Sequence, residues 1–118
     1  MKGIEALVIE TLMACKTWGV ADVVMGTVTK SLDKQPFYPD YTDFLVTTDA
    51  IHAERRAKEM DMVIQTMLDV GVEPKMTRAT ADMIHWTANL GLKEHFGGEV
   101  PANWEIVLDE ISRNIGAS

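Results

Sequence analysis

His52-Ala53-Glu54-Arg55-Arg56-Ala57-Lys58-Glu59-Met60, then Val70-Gly71-Val72-Glu73-Pro74, then a second periodic run from Thr77 to Leu90, decide the fold of this chain. At about 100° per residue, Ala53, Ala57, Met60, Val63, Ile64 and Met67 share one face of a helix that runs to Val70. Thr48 or Asp49 is the expected cap of that helix, and Gly71 the expected stop. Pro74 starts the next link. Thr77 to Leu90 is the following helix, ended near Gly91. Met76, Ala79, Met83, Trp86 and Leu90 form its apolar stripe. Thr80, Ile84 and Ala88 form a smaller flank suited to close helix contact.

The same reading extends in both directions. Lys2 to Trp18 is helical, with Gly19 as its stop. Its apolar residues, from Ile4 to Cys15, cover most of the circumference, so this helix is expected to be buried on several sides. No capping residue precedes Ile4. The helix therefore reads as the continuation of an upstream one, or as a frayed start at an initiator methionine. Asp22 to Leu32 is a second helix. Asp33 to Asp40 is a loop set by Pro36 and Pro39, and Asp43 to Thr47 a short helical turn. Lys93 to Gly98 is a loop with paired glycines. Pro101 or Ala102 opens a last helix to about Ile115. No repeat and no strand pattern occurs. The expected fold is all-α: five to six helices in a single compact helical domain over residues 1–118, forming an intertwined or packed dimer.

Composition narrows the function. At 118 residues, with 47% hydrophobic and 25% charged residues, this is ordinary globular material. The net charge of -7 and the scattered lysines and arginines argue against a nucleic-acid partner. A single cysteine, Cys15, rules out an internal disulfide and a thiolate zinc site, and a reducing cytoplasm is the expected setting. No apolar run reaches membrane-span length. Eight methionines read as core filling, or as a methionine-lined interaction surface.

The long helix carries the candidate chemistry. Arg56 falls within the apolar stripe, and His52 lies at its edge. Glu59 can reach back to Arg55 and Arg56. An arginine on an oily face needs a partner. Either it makes a structural ion pair with Glu59 or with another helix, or its guanidinium grips a carboxylate or phosphate on a substrate. Lys58 faces the other way and pairs with Glu54 on a solvated face, unless a second domain packs there. Asp82 and His85 have the spacing of di-metal bundles. Glu5 and Glu10 would be the partner ligands, but the pattern occurs once, and no metal site is assigned. No Gly-x-Gly-x-x-Gly, phosphate loop or hydrolase elbow is present.

A resemblance adds what spacing alone does not show. Ile4-Glu5-Ala6-Leu7 with Glu10 and Cys15-Lys16-Thr17-Trp18-Gly19-Val20, the stretch His52-x-x-Arg55-Arg56-x-x-Glu59-Met60, the run Leu68 to Thr77 with Ala79-Thr80-Ala81, and the ending Leu90-Gly91-Leu92, Phe96-Gly97-Gly98, Pro101 and Trp104 resemble the C-terminal helical domain of the 6-phosphogluconate dehydrogenase-like branch of the β-hydroxyacid dehydrogenase superfamily. The resemblance covers nearly the whole chain. It implies an N-terminal Rossmann domain, absent from this chain, that binds NAD or NADP. It also implies a homodimer, a small anionic substrate, and hydride transfer between nicotinamide and a hydroxyl carbon. The family's acid–base lysine would fall before Met1, so no residue here is assigned a catalytic role and the chain alone is expected to be inactive. Lys58-Glu59-Met60 matches the family's Lys-Asp-Leu element, whose lysine points into the cleft. Glu replaces Asp here. Lys58, Arg56, Arg55, His52 and Glu59 are therefore the substrate- or cofactor-adjacent candidates. The competing expectation is a free-standing all-α homodimeric interaction module without chemistry.

Overall fold

The structure is a computed structural model that describes residues 2–33 and 38–117. Among them are six helices and no strand: α1 (Lys2–Thr17), α2 (Ala21–Asp33), α3 (Tyr38–Asp69), α4 (Lys75–Ala88), α5 (Leu92–His95) and α6 (Trp104–Ala117). The all-α class is as read from the sequence. The centre of the expected proline loop, residues 34–37, and the side chain of Leu32 lie outside the described residues.

The end of α3 follows from one glycine. Gly71 sits at φ +74, a left-handed conformation that costs a residue with a Cβ about 1 kcal/mol or more. This lets Val72 N–H reach Met67 O at 3.0 Å and Gly71 N–H reach Leu68 O at 3.0 Å, which satisfies two orphan carbonyls. Gly71→Ala should therefore lower stability by about 1 kcal/mol. Nothing lies within 4 Å of the added carbon, so the loss comes from the backbone alone. Urea unfolding should show a lower midpoint at an unchanged slope.

The start of α3 departs from expectation. Neither Thr48 nor Asp49 caps it; the helix begins at residue 38 and absorbs the expected short turn. The hydroxyls of Thr47 and Thr48 donate to Asp43 O at 2.7 Å and Phe44 O at 2.6 Å, carbonyls one turn back. Side chains able to cap a helix are thereby used inside one. Pro39 falls in the first turn, where its missing N–H removes no bond.

Two further boundaries differ. The expected loop at residues 93–98 begins with a helical turn, α5, because Leu92 is buried and its carbonyl accepts from Phe96 N–H at 3.0 Å. The last helix opens at Trp104, not at Pro101 or Ala102. Asn103 Oδ1 accepts from Ile106 N–H at 3.0 Å, and Asp43 Oδ1 accepts from Trp104 N–H at 2.8 Å. These two acceptors fill the role of an N-cap.

The helices group into two units, Met1–Gln35 with Glu59–Ala81, and Pro36–Lys58 with Asp82–Ser118. In the first, α1 contradicts the expectation of burial on several sides: Ile4, Ile9 and Met13 are 60%, 53% and 58% exposed. Its buried residues are Glu10 and Ala14. In the second, Ala50, Leu92 and Val107 form the core, with Val46, Leu90, Phe96 and Ile111 packed around it. On α4 the small residues are buried, Thr77 and Ala81, while Met83 and Trp86 of the larger stripe are exposed. Small side chains let helices approach closely, and that contact decides which face goes inward.

Candidate functional site

Two arrangements of polar side chains stand out, one in each unit. The first is built on Glu10. α4 begins after Glu73-Pro74 with no local Ser, Thr, Asp or Asn to cap it, so its first N–H groups need an acceptor from elsewhere. Glu10 supplies it from α1. Its Oε1 accepts from Met76 N–H at 2.9 Å, and its Oε2 accepts from Thr77 N–H at 2.9 Å and from the Thr77 hydroxyl at 2.6 Å. The hydroxyl has one hydrogen, so the Met67 sulfur at 3.4 Å is a packing neighbour of the same oxygen. Burial pushes the Glu10 carboxyl up. The Thr77 hydroxyl and the N–H groups of Met76, Thr77 and Lys75 outweigh that and hold it below its ordinary value. Glu10 is thus a remote helix cap. Both its oxygens are used in that cap. Among the described residues no group of three or more metal-ligating side chains is assembled. An apolar groove of about 420 Å³ lies beside this cap, walled by Ile9, Met13, Val72 and Met76.

The second arrangement is on α3. The buried Ala50, Ile51 and Ala53 fix which way the helix faces. His52, Arg55 and Lys58 follow at three-residue intervals, each about 60° further round the helix. The cleft they border has a volume of about 360 Å³ and is lined by Ile51, His52, Glu54, Arg55, Lys58 and Lys93. Arg55, Lys58 and Lys93 share that lining with one carboxylate, Glu54. Lys58 Nζ is 3.5 Å from Glu54 Oε1, the surface pair expected from the spacing, and both side chains are largely exposed.

Of the five residues named from the sequence, the cleft gathers His52, Arg55 and Lys58. Arg56 does not line it. Its guanidinium donates to Thr48 Oγ1 at 2.9 Å, so it is tied back along its own helix. Glu59 is exposed and does not line the cleft either. Sequence reasoning missed Lys93. It follows buried Leu92, whose packing against the core carries α5 to the cleft. The sequence signal was a cation beside an apolar residue in a segment read as loop. Further along, His95 and Arg113 both meet Glu110, at 3.2 and 2.8 Å.

A family model described as "Domain of unknown function (DUF1932)" matches residues 16–87, more than half of the chain. The chain belongs to that family. The DUF1932 match takes in His52, Arg55 and Lys58, and Lys93 lies outside it. No curated protein and no solved structure matches the chain. No helix among the described residues of this DUF1932 chain is long and apolar enough to cross a membrane.

Proposed function

We propose that this chain is the substrate-binding and dimerisation domain of an NAD(P)-dependent hydroxyacid-type dehydrogenase, inactive alone and completed by an N-terminal Rossmann domain. The observation that carries the reading is family membership. This domain follows the NAD-binding domain in 6-phosphogluconate dehydrogenase-like proteins. The basic cleft supports it, because an anionic substrate needs cations to hold it while hydride moves between nicotinamide and a hydroxyl carbon. Lys58, Arg55 and His52 orient that anion. Arg56 and Glu59 remain candidates for the face that meets the other domain. The cofactor's phosphates need a glycine-rich turn opening a helix, and these 118 residues contain none. Dinucleotide binding is therefore assigned to the Rossmann domain, in a cytoplasmic enzyme.

The dimer belongs to the same proposal. Ile9 and Met13, one turn apart on α1, leave an exposed apolar patch that a partner would cover. Light scattering at micromolar concentration should give twice the 13.1 kDa chain mass. A monomer mass would remove this part of the reading. That same face also suits the alternative, a free-standing helical interaction module.

The deciding test joins the chain to the segment encoded upstream of it and titrates the product with NADH and NADPH by fluorescence. Saturable binding that needs the upstream segment is the expected result. No binding, with an upstream segment lacking a glycine-rich βαβ unit, would leave the interaction module.

A further inference from the structure

We draw no further inference here: the strongest candidate, the apolar groove of about 420 Å³ beside the Glu10 cap, walled by Ile9 and Met13 of α1 and by Val72 and Met76, carries nothing, because its lining sets one lysine, Lys75, against two carboxylates, Glu10 and Glu73, and nothing in the structure shows what covers it.

Discussion

Glu10→Ala should destabilise the chain by about 3 kcal/mol, the largest single effect expected of any polar side chain here. The substitution removes a carboxylate that accepts three hydrogen bonds, from Met76 N–H, Thr77 N–H and the Thr77 hydroxyl. Thr77 is 1% exposed, so its two donors are left buried without an acceptor. The favourable interaction between a carboxylate and the positive end of α4 goes as well. Against the roughly 5–15 kcal/mol that holds a small domain together, such a loss is severe. Chemical denaturation followed by circular dichroism measures it. A loss under about 1 kcal/mol, typical of an exposed helix cap, would mean that water reaches these donors.

The same group sets an acid limit. Its folded pKa lies below its unfolded value, so the stabilisation is fully present above the ordinary glutamate range, about 4.3, and is lost as pH falls through the lower folded value. Glu10→Gln keeps the shape and removes the charge. It should be less stable near neutral pH and show a flatter acid limb. Equal acid limbs in the two proteins would assign acid unfolding to other carboxylates.

Leu92→Ala should cost about 3 kcal/mol, within the usual range for a buried leucine. Leu92 is 2% exposed and shares its core with Ala50 and Val107. Truncation leaves a cavity where α5 is anchored, and that anchor also positions Lys93. The denaturation midpoint should therefore fall. Lys93→Ala, at the exposed neighbour of Leu92, should change stability by less than about 0.5 kcal/mol. A loss under about 1 kcal/mol for Leu92→Ala would mean that α5 is held by something other than this contact.

How much of this was legible beforehand depended on the range of the interaction. The class and most helix ends were readable, because Gly19 and Gly71 act on their own turns and the apolar spacing of α3 is a property of consecutive residues. The start of α3 was misread because a threonine hydroxyl can cap a helix or bond back inside one, and Thr47 and Thr48 do the latter. Three of the five candidate site residues were gathered into the cleft because they lie at helical spacing. Arg56 was not, since its partner Thr48 lies two turns away along the same helix.

The sequence by itself determined an all-helical chain, its stops, and the helix that carries His52, Arg55 and Lys58. These follow from backbone preference and periodicity, which are local. Only the tertiary structure decided that Glu10 caps α4 across a separation of 66 residues, that small side chains form the buried face of α4, and that Lys93 joins the cleft. Each depends on helices distant in sequence meeting in space. Which donors a carboxylate finds, and which cations share a cleft, is settled by that packing and has no local signature.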